Sequence, residues 1–90
     1  MQTYNYKSDV PSHYNPVGYV FITRKPKSLH VHIEVDMGIF SKSFRKFTCL
    51  KKWLYDFLDS ELDIEAMELI HVVGPNSDGQ YDYSYCLYRV

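Results

Sequence analysis

Residues 29–36, LHVHIEVD, alternate without interruption between apolar and polar side chains. The apolar positions hold leucine, valine, isoleucine and valine, and the polar positions hold two histidines, a glutamate and an aspartate. Successive side chains of a β-strand point to opposite faces of its sheet, so this pattern predicts a strand with one packed and one hydrated face. The stretch therefore favours an antiparallel sheet that packs one side against the rest of the protein.

Two further strands are predicted, one before and one after this stretch in the sequence. Residues 17–24, VGYVFITR, are rich in β-branched and aromatic side chains and end at a turn around Pro26. Residues 39–47, IFSKSFRKF, follow a tight turn at Met37 and Gly38. Connections this short join neighbouring antiparallel strands, so the three strands are predicted to form a meander.

The helical pattern of the chain lies in residues 48–60. Apolar side chains recur there at the spacing of one helix face, at Leu50, Trp53, Leu54, Phe57 and Leu58. Thr48 is the predicted N-cap. A helix of roughly 12 residues is marginal on its own in water, so it is predicted to pack on the sheet with Trp53 and Phe57 as its anchors.

Two more strands, residues 67–73 and 81–90, are separated by the turn sequence GPNSDG. The predicted fold is α+β: an antiparallel sheet of about five strands, in the order β-β-β-α-β-β, with one amphipathic helix packed on one face. Residues 1–16, which contain Pro11 and Pro16, are predicted to be an irregular N-terminal arm. Residues 17–90 are predicted to form a single α+β domain.

The histidines of the second strand raise the question of a metal site. His30 and His32 could supply two ligands, with Glu34 or His71 as a third. The same residues are what the hydrated face of an alternating strand should contain, and the spacing matches no specific metal motif. The sequence therefore predicts a hydrated strand face, with no metal and no cofactor.

The sequence shows none of the common catalytic motifs. It contains no GxSxG, Walker, GxGxxG, HExxH or CxxC sequence. Cys49, near the start of the predicted helix, is the best candidate nucleophile, but no base can be named for it. We therefore predict that the protein is not an enzyme and that its two cysteines, Cys49 and Cys86, are reduced thiols.

Charge is sorted along the chain although the net charge is only −1. Residues 42–52 carry five cations and no acid, whereas residues 56–68 carry six acids and no base. Within the helix, this order opposes the macrodipole and costs a few tenths of a kcal/mol for each charge. A local conflict of this kind points mildly towards function.

The predicted meander places the turn between the first two strands beside the start of the helix. Cations distant in sequence should then gather at one end of the molecule, together with free backbone N–H groups, while Asp36 joins the acids at the other end. The predicted cationic end consists of Arg24, Lys25, Lys27, Arg45, Lys46, Lys51 and Lys52. The alternative is that charged residues cluster in turns and only keep the ends hydrated.

Two kinds of binding follow from this layout. A cationic end beside strand tyrosines could hold the phosphates and stack the bases of a nucleic acid. Alternatively, Tyr81, Tyr83 and Tyr85 on the last strand could anchor a protein partner, with charge steering the encounter. If that strand lies at an edge of the sheet, it could also pair with another chain, including a second copy in a homodimer.

In size and layout, with SLHVHIEV, IFSKSFRKF and LKKWLYDFL giving paired strands and then one aromatic helix, the chain resembles small α+β inhibitor proteins of phages and mobile elements. Anti-CRISPR proteins are among them. The resemblance lies in architecture and carries over no functional residue. It implies tight, non-catalytic binding to a bacterial defence or regulatory complex, with blockage of its nucleic-acid surface.

Location is predicted from what the chain lacks. Its first ten residues, MQTYNYKSDV, contain no apolar run of signal-peptide length, and no stretch is apolar enough to cross a bilayer. We predict a cytoplasmic protein without a membrane partner, in the host cytoplasm if a phage encodes it.

Overall fold

A computed structural model describes residues 10–77 and 79–90. Within them, five strands and one helix follow the predicted order β-β-β-α-β-β. Their bounds are β1 Asn15–Lys25, β2 Ser28–Val35, β3 Gly38–Phe44, α1 Phe47–Ser60, β4 Ala66–Val73 and β5 Asp82–Arg89. Residues 1–9, the larger part of the predicted arm, lie outside the described residues, and β1 begins two residues before the predicted strand.

All five strands form one antiparallel sheet in the order β3-β2-β1-β5-β4. The predicted meander of β1, β2 and β3 is confirmed, with Val20 opposite Ile33 and Ile33 opposite Phe40. After the helix, the chain crosses to the far side of β1, where β5 pairs with β1 and β4 pairs with β5. The sheet edges are therefore β3 and β4, and the idea that the last strand is an edge is wrong.

The core lies between the helix and one face of the sheet. Leu50, Leu54 and Leu58, four residues apart on α1, are buried against alternate side chains of β1 and β2, such as Val20 and Ile33. The alternation of β2 is confirmed, because Leu29, Val31 and Ile33 are buried. The predicted anchors Trp53 and Phe57 are only partly buried and pack against this core.

One helix is too narrow to cover five strands. A helix with its side chains is about 10–12 Å wide, whereas adjacent strands lie about 4.8 Å apart. The closest strands to α1 are β3 and β2, because only Arg45 and Lys46 join β3 to α1. Among the described residues, α1 therefore does not cover the outer part of the β4 side of the sheet.

The helix begins one residue before the predicted start, and its cap differs from the prediction. Lys46 is the N-cap, with an extended backbone, and it makes no side-chain capping hydrogen bond. Thr48 lies inside the first turn, so its prediction as the cap was wrong. The first turn contains no acid and the last turn no base, as the charge order of the sequence predicted.

Candidate binding surfaces

The turn between β1 and β2 lies beside the start of α1, as the meander requires. The two places share a cleft of about 270 Å³, which we call the basic cleft. It contains four of the predicted cations and no carboxylate among its lining residues, which are Arg24, Lys25, Pro26, Lys27, Ser28, Leu29, Arg45, Phe47 and Gln80. A concave site with several cations and no acid is suited to bind an anion.

Arg24 is the anchored cation of the basic cleft. Its Nε donates to the carbonyl oxygen of Tyr81 at 2.8 Å, and its backbone N–H donates to Asp82 Oδ1 at 2.9 Å. Its guanidinium lies over the ring of Phe47 at 5.1 Å and over that of Tyr83 at 5.8 Å. These contacts hold the Arg24 charge in place at the cleft, whereas Lys25, Lys27 and Arg45 are exposed.

The other three predicted cations do not line the basic cleft. Lys46 caps the helix, and Lys51 extends its Nζ over the rings of Phe47 and Tyr55 at 5.9 and 5.7 Å. Lys52 is exposed on the helix. The structure thus brings Arg24, Lys25, Lys27 and Arg45 together around one cavity and leaves Lys46, Lys51 and Lys52 along the adjoining helix.

The opposite end of the molecule contains Asp36 and the acidic segment after the helix. Arg89 connects the two: its Nη1 donates to Asp36 Oδ2 at 2.9 Å, and its Nη2 donates to the carbonyl oxygen of Leu62 at 2.8 Å. Asp36 therefore lies at the predicted end. The sequence analysis missed Arg89, whose guanidinium partly neutralises this acidic end.

The three predicted tyrosines occupy two environments. Tyr81 precedes β5 and is exposed. Tyr83 and Tyr85 are half-buried on the helix side of β5, with their rings stacked at 6.3 Å, and both pack against the core. Their neighbours on β4 are Val72 and Leu69, so these rings lie beside the outer edge of the sheet.

The outer half of β4 exposes four aliphatic side chains, although its first two residues are buried. The exposed fractions are 52% for Leu69, 51% for Ile70, 41% for Val72 and 54% for Val73, and we call this group the β4 patch. A register shift between Leu69 and His71 interrupts the pairing of β4 with β5. In the described chain, no other strand pairs with the outer side of β4.

The opposite edge, β3, is protected by charge. Lys42 lies in its middle and extends Nζ over the rings of Phe44 and Trp53 at 5.5 and 5.4 Å. Lysines on an edge strand discourage pairing with another chain, whereas an uncharged apolar edge invites it. Within the described residues, the sheet therefore has one edge with a lysine in its middle, β3, and one apolar edge, β4, that no further strand pairs with.

The sheet face away from the helix has an aromatic centre. Tyr19 and Phe21 alternate with the buried Val20 and Ile22 on β1 and are 45% and 36% exposed. Their rings are 6.2 Å apart at an interplanar angle of 25°, and the His32 ring lies 6.1 Å from Phe21. We call these three rings the ring platform.

The ring platform was missed by the sequence analysis, although a signal for it was present. The period of two in VGYVFITR already separates Tyr19 and Phe21 from Val20 and Ile22. What the strand could not reveal was which of its two faces the helix covers. Phe21 pairs with His32, which lies on the hydrated face predicted for β2. The rings of Tyr19 and Phe21 are therefore on the sheet face that the helix does not cover.

The predicted hydrated face of β2 is confirmed by its polar contacts. His32 Nε2 lies 3.1 Å from Glu34 Oε1, and His30 Nδ1 lies 3.1 Å from Ser43 Oγ. Across residues 10–77 and 79–90, no group of three or more histidine, cysteine or acidic side chains is arranged to hold a metal ion. Cys49 is exposed and Cys86 is buried, and neither forms a disulfide.

Three tyrosine hydroxyls have raised pKa values, and the pKa of Tyr85 is raised by burial and then by the neighbouring Tyr83. Burial, and then the neighbouring Tyr85, raise the pKa of Tyr55 to about 12. A hydrogen bond with the Cys86 side chain, followed by burial and by donation to Glu68 Oε1 at 3.0 Å, raises the pKa of Tyr88. These hydroxyls therefore ionise only at a higher pH than an unperturbed tyrosine does.

Comparison with known proteins gives no match to this chain among family models, curated proteins or solved structures. Over the part of the chain that the structure describes, α1 is neither long enough nor apolar enough to span a membrane.

Proposed function

We propose that the protein is a non-enzymatic protein-binding module that acts as an inhibitor or adaptor, and that its partner docks on the β4 patch. The observation that carries this proposal is the run of exposed Leu69, Ile70, Val72 and Val73 on an unprotected sheet edge. An extended segment of the partner can add to β4 as a further strand, with main-chain hydrogen bonds supplying affinity.

The surroundings of the patch support a specific interface. Leu69 and Val72 lie beside Tyr85 and Tyr83 on the helix side of the sheet, so a partner strand would contact aliphatic and aromatic surface together. Half-buried tyrosines lose little conformational freedom on binding and are frequent anchors of interfaces. The charged ends of the molecule would orient the partner during the encounter.

A matched pair of charge substitutions tests the site. Val72→Lys inserts a charge into the β4 patch, whereas Ile39→Lys makes the same change at an exposed aliphatic residue of the other edge, β3. Proteins retained from host lysate by the immobilised wild type should bind the Val72 variant at least about tenfold more weakly. The Ile39 variant should bind as wild type does, and equal binding by all three would refute the site.

The identity of the partner is a finer proposal. The architecture of the chain resembles that of small phage inhibitors, and on this ground we propose a phage-type, anti-CRISPR-like role. In this role, the protein acts in the host cytoplasm and blocks a complex that handles nucleic acid. Adding the purified protein to a reconstituted interference complex measures this directly. Target cleavage or target binding should fall as the protein is titrated in, and unchanged activity at saturating protein would contradict the role.

A second candidate function is nucleic-acid binding through the basic cleft. Four cations around one cavity without a lining carboxylate favour it. Binding to phosphates releases counterions, so affinity should fall steeply as salt rises. Micromolar binding to generic DNA or RNA at low salt, weakened by Lys27→Ala, is the expected result, and no binding at low salt would remove this candidate.

A further inference from the structure

The basic cleft lies at the end of the sheet, and its Lys25 is on the same side of β1 as the ring platform, whereas Arg24 is on the helix side. Lys25 and Phe21 are four residues apart on β1 and alternate onto the same side of the strand, a separation of about 13 Å. A second hollow, lined in part by Lys27, Ser43 and Arg45, borders the same face. Ser43 there contacts His30 of the neighbouring strand β2.

We propose that this surface binds a single-stranded nucleic acid, with phosphates in the basic cleft and bases stacked on Tyr19 and Phe21. The proposal rests on the second candidate function above and adds which form of nucleic acid is bound. Aromatic side chains stack bases without strong sequence preference, and a cationic groove holds the backbone. Flat rings on an open sheet are accessible to unpaired bases only, because the bases of a duplex are already stacked on each other.

The ring geometry suits this role. Tyr19 and Phe21 lie nearly parallel at 6.2 Å, which is about twice the 3.4 Å rise per nucleotide of a duplex strand. A single strand that is stretched to about twice this rise can therefore place one base on Tyr19 and the next on Phe21. His32, beside Phe21, widens the platform across to β2.

The distribution of charge limits how far the nucleic acid can extend across the sheet. At the far end of the platform, Glu34 is the register partner of Tyr19, and Glu68 lies two strands further along the same row. Carboxylates there repel phosphates, so the nucleic acid should extend from the basic cleft to Tyr19 and not beyond it. Glu34→Gln should consequently tighten binding, by up to about fivefold.

The test compares a fluorescent oligothymidylate of about ten nucleotides with a duplex of the same length, using the full chain. Phe21→Leu and Tyr19→Leu each keep an apolar side chain and remove a ring. Each should weaken binding to the single strand by at least about fivefold. Met37→Ala removes an exposed apolar side chain in the turn between β2 and β3, outside the platform and the cleft, and should leave affinity unchanged.

The cleft is tested separately through salt dependence. Each phosphate contact of a single strand contributes about 0.7 to the slope of log affinity against log salt. The double variant Lys27→Ala with Arg45→Ala should therefore lower that slope by roughly 1.4. Lys52→Ala, which removes an exposed cation outside the cleft, should leave the slope as in the wild type.

The outcomes separate the two proposals. Tighter binding to the single strand than to the duplex, lost with either platform ring, supports the inference. If neither ring substitution weakens salt-dependent binding, or if duplex and single strand bind equally, the role of the ring platform is refuted. The role of the basic cleft is not affected by that result. Equal competition by a phosphorylated peptide of matched charge also overturns the platform, and no binding at low salt overturns both.

Discussion

Gly18 is the residue at which the backbone of β1 leaves no room for a side chain. A Cβ there would overlap the carbonyl oxygen of Glu34 and lie 2.8 Å from the Cα of Val35. Both obstacles are backbone atoms of β2, so the two strands would have to separate. The same position lies next to the irregular pairing of β1 with β5 after Pro16.

We expect Gly18→Ala to lower the free energy of unfolding by about 1–3 kcal/mol, the usual cost of overpacking. Urea unfolding followed by circular dichroism measures this value. Thr23→Ala, on the same strand but exposed, is the matched control and should change stability by less than about 0.5 kcal/mol. An equal effect of both variants would contradict the steric explanation.

The two cysteines provide a second residue-scale prediction. Cys49 is exposed in the first turn of α1, whereas Cys86 is 6% exposed on β5. A thiol reagent should therefore modify one cysteine rapidly in the native protein and both after denaturation. Cys49→Ser should abolish the rapid phase, and its survival in that variant would contradict the assignment.

Among the elements, α1 has a built-in instability at its start. Its N-cap is Lys46, which supplies no capping oxygen and places a cation at the positive end of the helix dipole. Lys46→Asp should raise the free energy of unfolding by about 1 kcal/mol. Lys52→Asp adds the same charge change within the helix without a cap, and a comparable gain there would contradict the capping explanation.

The elements also show where sequence reasoning succeeds and where it ends. The alternation of β2 and the helical stripe of α1 are local, and they predicted the strands, the helix and their order. The position of β5 between β1 and β4 depends on pairing between distant segments, which no local pattern encodes. The N-cap was misplaced because only two residues connect β3 and α1, so the path of the chain outweighed the preference for threonine.

The same limit applies to the surfaces. The cations of the basic cleft could be grouped from meander geometry alone, because the turn of one hairpin must lie beside the exit of the third strand. The sequence offered Tyr83 and Tyr85 of β5 as anchors for a partner, and in the structure both are partly buried against the core. Apart from Tyr81, the exposed tyrosine and phenylalanine rings of the described residues are Tyr19 and Phe21 of β1, because the helix covers the opposite face of that strand.

For the whole molecule, stability at high pH depends on tyrosines that connect the two layers. The pKa of Tyr55 on α1 is raised from 10 to about 12 by burial and by Tyr85 on β5. The folded state therefore favours the neutral hydroxyl. This contribution to stability is complete below pH 10 and is lost as the pH rises from about 10 to about 12.

We expect the unfolding free energy of the wild type to fall over that alkaline range more steeply than that of Tyr55→Phe. Ionisation of the lysines and of the tyrosines distant from Tyr55 is common to both proteins, so the difference between the two curves reports Tyr55 together with its interaction with Tyr85. Urea unfolding at several pH values measures it. Parallel curves for the two proteins would contradict the assignment.

The unequal edges of the sheet also limit how large an assembly can become. Growth of a fibre by strand addition requires each molecule to accept a neighbour at both edges, but Lys42 discourages pairing at β3, whereas β4 is unpaired on its outer side within the described residues. We therefore expect each molecule to accept one additional strand, at β4. Complexes formed through β4 should be finite, with one partner chain for each copy of the protein.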